Sequence, residues 1–400
     1  MRPTLPALAA CCLALALAPD ARAQSLQTLA SFNGTNGANP EAGLTDVNGT
    51  LYGAASAGGV NGDGTVFSYS AVSGITALAS FNNTNGASPE SGLTDVNNTL
   101  YGTTHGGGAN GAGTIFSYSA ANGISTLASF NHTNGANPIA GLTDVSGTLY
   151  GTTFFGGTNG QGTIFSYSAA NGLTTLASFT GANGAVLQGG LTEVNNTLYG
   201  TTYGGGANGA GTLFSYSATN GLTTLVNFDN TNGNIPRAGL IAVNGTLYGT
   251  TFYGGANGIG TLFSYSAANG LTTLASFDTT NGANPEAGLI DVNNTLYGTA
   301  SGGGANGDGT LFSYSAANGL TTLASFNGAN GANGANGANP QAGLIDVNNT
   351  LYGTAVNGGA NSAGTLFSYQ LPNNAVPEPA SLALLATGAA LLALRRRRRG

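Results

Sequence analysis

The pattern of apolar and polar positions divides the chain into short apolar stretches that alternate with clusters rich in glycine and asparagine. The stretches lack the 3.6-residue spacing of an amphipathic helix, so they predict β-strands. In one representative stretch we expect strands at Leu93–Val96, Thr99–Thr103, Thr114–Ser119 and Ile124–Phe130. Asn97 and Asn98 separate the first two, and asparagine tolerates the positive φ angles of a two-residue type I′ hairpin turn. The pattern therefore predicts four short antiparallel strands.

This four-stranded pattern occurs seven times with a basic period of 49 residues. The sequence VNNTLYGT begins at Val96, Val194, Val292 and Val347, and near-copies begin at Val47, Val145 and Val243. Two tyrosines and two phenylalanines recur in every unit, at the positions of Tyr101, Phe116, Tyr118 and Phe130. We interpret them as core residues packed between adjacent units. Four strands in such a repeat are typical of one propeller blade.

The two ends of the repeat array predict a closed ring. Leu26–Phe32 is a lone fourth strand before the first complete unit, and the last unit ends at Gln370 without a fourth strand. Pairing the first segment with the last unit would complete a seventh blade and remove both free edges. An open solenoid would more naturally carry distinct caps. We therefore predict an all-β, seven-bladed β-propeller that is closed by its N-terminal strand.

Both termini carry export signals outside the predicted propeller. Residues 1–23 have one arginine, an apolar stretch and Ala21-Arg22-Ala23, which is typical of a signal peptide. Leu8 to Cys11 also fits a lipoprotein box, an alternative that the short preceding apolar stretch disfavours. Cys11 and Cys12 both lie inside the signal, so no disulfide is expected in the mature chain. We place the propeller at 24–371 and a linker at 372–375.

The last segment, 376–400, combines three features in a fixed order. Val376-Pro377-Glu378-Pro379 precedes a 15-residue uncharged run, Ala380–Leu394, which is followed by Arg395, Arg396, Arg397, Arg398 and Arg399. This layout resembles the PEP-CTERM sorting signal of Gram-negative bacteria. The resemblance implies transient inner-membrane anchoring through a short helix and processing by an exosortase-type enzyme. A plain tail anchor is the alternative, although the run is shorter than the roughly 20 residues of a simple membrane helix.

Charge excludes some partners once both ends are removed. The remaining chain has 13 acidic residues and Arg237 as its one basic residue besides histidine, a net charge of −12. Such a surface disfavours nucleic acids and anionic membranes, so we expect neither as a partner.

Residues that could carry chemistry are few. His105 and His132 fall in neighbouring loops without a third zinc-like ligand, so we expect no metal and no cofactor. Six acids precede the hairpin turns: Asp46, Asp95, Asp144, Glu193, Asp291 and Asp346, with Ala242 in the fifth unit. Each blade supplies one, too far from the next to share a Ca²⁺ ion, which favours local structural use. Asp63 and Asp308 in the glycine loops are weak signals that turn geometry explains.

The positions that vary between units are more informative. The five aromatic residues outside the core set lie in the loop between the second and third strands of units three to five: Phe154, Phe155, Tyr203, Phe252 and Tyr253. His105 lies in the same loop, and Arg237 lies in a blade-linking loop that is expected on the same face. The cluster predicts a ligand-binding patch. Local packing of long loops is the alternative, and both interpretations stay open.

The repeat itself resembles two known groups. Its LYG strand, glycines and TTLASF strand resemble kelch-type units, although the kelch tryptophan is missing. From Leu26 to Gln370 it is more similar to the glycine-rich tandem repeat called GloVer, which often precedes PEP-CTERM signals. These resemblances imply an exported, non-catalytic surface or extracellular-matrix protein, with an exopolysaccharide or a surface protein as its partner. A secreted propeller lyase or hydrolase acting on polysaccharide is the alternative.

Overall fold

The computed structural model describes residues 25–328 and 336–372. The predicted signal peptide and the C-terminal segment, with its predicted helix, lie outside these ranges. The strands are β1 (Gln27–Ser31), β2 (Thr45–Val47), β3 (Thr50–Ala55), β4 (Thr65–Ser70), β5 (Gly74–Ser80), β6 (Thr94–Val96), β7 (Thr99–Thr104), β8 (Thr114–Ser119), β9 (Gly123–Ser129), β10 (Thr143–Val145), β11 (Thr148–Thr153), β12 (Thr163–Ser168), β13 (Gly172–Ser178), β14 (Thr192–Val194), β15 (Thr197–Thr202), β16 (Thr212–Ser217), β17 (Gly221–Asn227), β18 (Ile241–Val243), β19 (Thr246–Thr251), β20 (Thr261–Ser266), β21 (Gly270–Ser276), β22 (Ile290–Val292), β23 (Thr295–Ala300), β24 (Thr310–Ser315), β25 (Gly319–Ser325), β26 (Ile345–Val347), β27 (Thr350–Ala355) and β28 (Thr365–Gln370).

These strands form seven four-stranded antiparallel sheets, which confirms the predicted propeller. Blades 1 to 6 are continuous in the chain, from β2–β5 to β22–β25, and blade 7 contains β26, β27, β28 and β1. The three-residue first strands of neighbouring blades contact one another all the way round, including β2 with β26. They therefore surround the axis of the ring.

Ring closure uses the N-terminal strand, as predicted. β1 pairs with β28 and occupies the outer position of blade 7. Asn361 Nδ2 donates to the Phe32 carbonyl at 3.0 Å. Asn110 Nδ2 makes the same bond to the Phe130 carbonyl within blade 2 at 2.9 Å. The blade built from both chain ends thus repeats the bonding of a continuous blade.

The hairpin turns between first and second strands are left-handed, as their sequence predicts. Asn97 and Asn98 have φ angles of 54° and 62°, and Asn48 and Gly49 have 54° and 82°. The first strand is one residue shorter than expected, because Leu93 precedes it and accepts a hydrogen bond from another blade. Thr45 Oγ1 of blade 1 donates to the Leu93 carbonyl at 2.5 Å. Hydrogen bonds between blades therefore begin at the residue just before the first strand, where the hydrogen bonds within the sheet end.

The core is divided among the seven blade interfaces, with one cluster of buried apolar residues at each. At every interface a phenylalanine that ends a fourth strand packs edge-to-face on one from the third strand of the next blade, as Phe81 does on Phe116 at 5.0 Å. Gly102 gives Phe116 its space, because a Cβ there would lie 2.7 Å from the ring. This contact explains the glycine of the LYG motif.

The blade topology gives the ring two distinct faces. The loops between second and third strands and the loops that link blades emerge on one side, which we call the loop face. The two hairpin turns of each blade emerge on the opposite side, which we call the hairpin face. The aromatic loops and the loop of Arg237 therefore share one face, as predicted from the sequence.

Candidate functional site

The loop face carries a ring of paired variable positions, which we call the variable ring. One member of each pair precedes the first strand of a blade, and the other follows the second strand 15 residues later. The seven pairs are Glu41–Ser56, Glu90–His105, Ile139–Phe154, Gln188–Tyr203, Arg237–Phe252, Glu286–Ser301 and Gln341–Val356. Four of these pairs are joined by side-chain contacts, described below. In these four blades, two variable positions therefore contact each other.

Acidic side chains occupy the variable ring at blades 1, 2 and 6. Glu90 lies 3.1 Å from Nδ1 of His105. Ser56 Oγ donates to Glu41 at 3.3 Å, and Ser301 Oγ donates to Glu286 at 3.0 Å. Each carboxylate is therefore held by the partner within its own blade.

These groups also interact between blades. Burial, followed by the negative charges of Glu90 and Glu286, raises the pKa of Glu41 to about 7. The hydrogen bond to Glu90, opposed by burial, raises the pKa of His105. Near neutral pH Glu41 is therefore partly protonated, so its carboxyl group can donate as well as accept a hydrogen bond.

A cation and aromatic rings occupy the adjoining blades. Arg237 Nη1 donates to Glu286 at 2.8 Å. Its guanidinium lies 3.7 Å from the ring centroid of Phe252 and 5.6 Å from that of Tyr203. Arg237 therefore joins three consecutive blades through an ion pair and stacking contacts.

Phe252, one of the residues of the predicted patch, is largely buried. Its exposed fraction is 9%, because Arg237 covers its ring. Phe252 supports Arg237 from beneath and offers little surface to a ligand. For this residue, burial beneath Arg237 favours the packing interpretation.

The remaining predicted aromatics divide into inner and outer positions. Phe154 and Tyr203 are half-buried members of the variable ring. Phe155 is 46% exposed and Tyr253 is 42% exposed. They pack edge-to-face on Phe154 and Phe252, each at 4.5 Å between centroids. Two aromatic pairs, on blades 3 and 5, thus flank Tyr203 on blade 4.

Two buried polar atoms of this region have no partner among the described residues. They are Oε1 of Gln188 and Nε of Arg237, on neighbouring blades. Buried polar atoms of folded proteins nearly always form hydrogen bonds to protein, water or ligand. A buried acceptor on blade 4 and a buried donor on blade 5 therefore lack hydrogen-bond partners within the described chain.

The other sequence candidates lie elsewhere. His132 is exposed in a blade-linking loop at a φ of 67°. The six acids before the hairpin turns lie in the first strands, and Asp144 Oδ1 accepts from the Gly147 amide at 3.0 Å. Asp308 accepts from the Gly328 amide at 2.6 Å. Within residues 25–328 and 336–372, no group of three or more His, Cys, Asp and Glu side chains could hold a metal ion.

Sequence reasoning missed most of the linking-loop members of the variable ring. It selected Arg237 and overlooked Glu41, Glu90, Gln188 and Glu286. The same signal could have found them, because they too vary in an otherwise repeated unit. Their spacing of 15 residues from the loop positions was visible, but contact across that spacing follows only from the blade geometry.

Comparison with known families identifies the repeats. The Gloeobacter/Verrucomicrobia repeat model matches residues 17–214 and 187–367. The chain belongs to this family. The resemblance of this repeat protein to GloVer repeats is thereby confirmed. No curated protein matches its sequence.

Solved structures resemble the repeat protein in fold alone. A Bacteroides uniformis protein described as a 6-phosphogluconolactonase has a TM-score of 0.51 and 14% identity, covering 76% of this chain and 88% of its own. A europium-containing methanol dehydrogenase has a TM-score of 0.50 and 10% identity, covering 86% and 93% respectively. At such low identity the likeness transfers no activity.

The C-terminal motif establishes the destination of the repeat protein. The PEP-CTERM protein-sorting motif matches residues 375–399, as expected from Pro377, Glu378, Pro379 and the terminal arginines. The protein is therefore exported to the cell envelope or surface, with processing by an exosortase-type enzyme. No helix of the described ranges is long and apolar enough to span a bilayer.

Proposed function

We propose that the repeat protein is a non-catalytic binding and structural protein of the cell surface or extracellular matrix, and that its variable ring binds exopolysaccharide. The observation that carries this proposal is where the widest chemical variation lies. At the paired positions on one face, otherwise similar units carry acids, amides, an arginine, aromatic residues and aliphatic residues. A purely structural disc needs no such difference, whereas a ligand-binding site does.

The composition of the variable ring suits a saccharide. Phe154 and Tyr203 offer aromatic surface to the apolar face of a sugar ring. Gln188 Oε1 and Arg237 Nε supply an unpaired acceptor and donor beside them. The carboxyl groups of Glu41, Glu90 and Glu286 can accept hydrogen bonds from hydroxyl groups. Aromatic surface next to several orienting polar groups is typical of small-molecule sites.

Binding of the exported protein to the host's own exopolysaccharide tests the proposal. Truncating a dominant aromatic contact removes about 2 kcal/mol or more of binding free energy. Tyr203→Ala is therefore expected to weaken binding by at least roughly 30-fold. Val60→Ala, at an exposed loop residue outside the ring, is the matched control. Unchanged binding by Tyr203→Ala would contradict the proposed site.

A second candidate function, a secreted enzyme acting on polysaccharide, is favoured by one observation. Glu41, with its pKa raised to about 7, lies near Glu90 and the His105 that Glu90 holds. A protonated carboxyl group beside a second carboxylate can act as a general acid in glycoside hydrolysis or elimination. This function requires turnover.

Reducing-end release from the same polysaccharide separates the two functions. A binding protein leaves the polymer length unchanged over long incubation. An enzyme shortens it and loses at least about 100-fold in rate in the Glu41→Gln variant, which removes the acid. Glu193→Gln, on an acid outside the variable ring, is the control for that substitution.

A further inference from the structure

The hairpin face carries a repeated set of grooves between adjacent blades. Five such grooves, of about 390, 160, 240, 340 and 550 Å³, lie between blades 1–2, 2–3, 3–4, 5–6 and 6–7. They are distinct from the variable ring, which lies on the opposite face. Their recurrence follows the sequence repeat, so any ligand that fits one groove meets similar chemistry in the next.

Every groove contains one tyrosine from each of its two blades next to a leucine, four of the five contain an acid, and four contain an asparagine. In the groove between blades 1 and 2, Tyr52 and Leu78 come from one blade, and Asp95, Asn98 and Tyr118 come from the next. Burial raises the pKa of the Tyr118 hydroxyl, and the nearby Tyr52 raises it further. The two tyrosines of the groove therefore lie close together. The same tyrosine pair lines the other four grooves.

This arrangement has the chemistry of a saccharide site. Tyrosine rings and a leucine provide apolar surface that can cover the C–H face of a pyranose. The carboxylate and the side-chain amide of the turn accept and donate hydrogen bonds at the edge of that surface. Tyrosine hydroxyl groups add further donors and acceptors at low entropic cost.

The charge of the grooves selects among saccharides. Four of the five grooves have one acidic side chain in their lining, and none of the five has a basic one. Arg237 belongs to the variable ring on the other face. A uronate or sulfate group would meet an uncompensated negative charge there. We propose that these grooves are repeated binding sites for the neutral pyranose units of a polysaccharide.

One groove residue shows an unmet hydrogen-bonding need. Oδ1 of Asp291, in the groove between blades 5 and 6, is buried and accepts no hydrogen bond within the described chain. The corresponding oxygens of Asp144 and Glu193 accept an amide hydrogen from their own turns. A sugar hydroxyl that reached this buried oxygen would supply the hydrogen bond that it lacks in the described chain.

One blade lacks the groove acid and so provides a natural comparison with the other six. Blade 5 has Ala242 where the other blades have an acid. It folds with the same strand pairing as its neighbours, Ala242 opposite Leu247 just as Asp291 lies opposite Leu296. The acid is therefore not required to build a blade, and its replacement by alanine is a mild test of binding.

Repetition adds a consequence for affinity. A polymer that engages a second groove after the first does so intramolecularly, which can raise the overall affinity by about 10²–10⁴ over a single contact. We therefore expect a neutral polysaccharide to bind at least about 100-fold more tightly than its own hexasaccharide. Because the contacts are uncharged on the ligand side, 0.5 M NaCl should leave this affinity unchanged.

The experiment titrates the exported protein with cello-, laminari-, manno- and galactohexaose and the matching polymers, with alginate as the anionic probe. Tyrosine fluorescence reports on the grooves, because the chain lacks tryptophan and all but Tyr203 and Tyr253 of its 16 tyrosines belong to the repeated pair. A neutral series is expected to change this signal with more than one hexasaccharide bound per protein. Replacing all six acids by alanine, as blade 5 already has, should weaken binding about 10-fold or more while the protein remains folded. Ala242→Asp should add one site.

Several results would overturn the proposal. These are the absence of binding by every neutral series at millimolar concentration, tighter binding of alginate than of any neutral polymer, or equal affinities for hexasaccharide and polymer. A stoichiometry of one that is abolished by Tyr203→Ala but retained in the six-alanine variant would assign the sugar to the loop face instead. If that variant unfolds, the gain of a site in Ala242→Asp decides alone, and its absence counts against the grooves.

Discussion

The two faces of the ring differ in how the seven blades use their side chains. On the hairpin face, Tyr52, Tyr118 and their equivalents recur in every blade and line alike grooves. On the loop face, the positions of Glu41 and Ser56 carry acids, amides, an arginine, aromatics and aliphatic residues in the other blades. Since one scaffold supports both, the difference arises from side chains and not from backbone. One face is suited to a repeating ligand and the other to a single asymmetric one.

Removing the closing strand β1 tests whether both faces depend on a complete ring. We expect this change to have the largest effect on stability. Deleting residues 26–32 leaves the outer edge of β28 unpaired and removes the buried Phe32 and the partly buried Leu29. Burial of such side chains stabilises a fold by about 2 kcal/mol each. We expect loss of the monomeric, cooperatively unfolding state, measured by calorimetry and light scattering. The control is Gln27→Ala, at an exposed residue of the same strand.

A wild-type melting temperature for the deletion variant would contradict closure by β1. Both faces would then be supported by six blades and an incomplete seventh. Binding on either face could in that case be studied without the N-terminal strand.

A methyl group at Gly102 should disturb both faces together, because β7 begins at the hairpin turn and ends beside His105. The added Cβ would lie 2.7 Å from the Phe116 ring, which is itself fully buried. Overpacking of this kind destabilises by about 1–3 kcal/mol. Denaturant unfolding of Gly102→Ala measures it. Ala121→Gly, in the exposed turn after β8, is a control that should change the free energy of unfolding far less. Equal stability of Gly102→Ala and wild type would mean that the glycine is not a packing requirement.

Within the loop face, two aromatics should respond in opposite ways. Phe252→Ala removes the ring beneath Arg237 and should lower the free energy of unfolding by about 2 kcal/mol. Phe155→Ala, at a residue 46% exposed, should change it by about 0.5 kcal/mol or less. Chemical denaturation of the two single variants compares them directly. A larger loss at Phe155 would reverse our assignment of inner and outer positions.

The smallest expected effect is a pH dependence that only the loop face has. Glu41 has its pKa raised to about 7 in the fold, so the folded state keeps a proton that the unfolded state loses above the ordinary pKa of 4.5. This stabilisation is complete below pH 4.5 and is lost as the pH rises to about 7. His105, whose pKa is also raised, loses its contribution at higher pH, above its ordinary value of 6.5.

Because Glu41 is partly exposed, the expected change is about 1 kcal/mol. Melting curves at pH 4.5 to 8 should show lower stability at the alkaline end, and Glu41→Gln should flatten the profile up to pH 7. A profile that Glu41→Gln leaves unchanged would mean that other groups produce the pH dependence.

Most of the fold could be predicted from the sequence because the repeat is nearly exact. Asn97 and Asn98 favour a left-handed turn through their own backbone preferences. Closure could be predicted because the lone strand before the first unit matches the fourth strand that the last unit lacks. The variable ring was only half visible, because Glu90 and His105 are 15 residues apart and meet only when β6 and β7 form a hairpin. Burial of Phe252 could not be predicted either, since it depends on Arg237 in a different loop. Contacts between loops require the assembled blades.

Closure by β1 also determines the order of events during export. Ser31 hydrogen-bonds to the Ala360 amide, 329 residues later in the chain, so blade 7 cannot form until nearly the whole repeat array has emerged. Bringing together ends so far apart is entropically unfavourable and makes closure a late step. The first segment to leave the translocation machinery thus waits for the last strand, and the C-terminal sorting motif follows that strand directly. The ring can therefore be completed only after the strand that directly precedes the sorting motif has been exported.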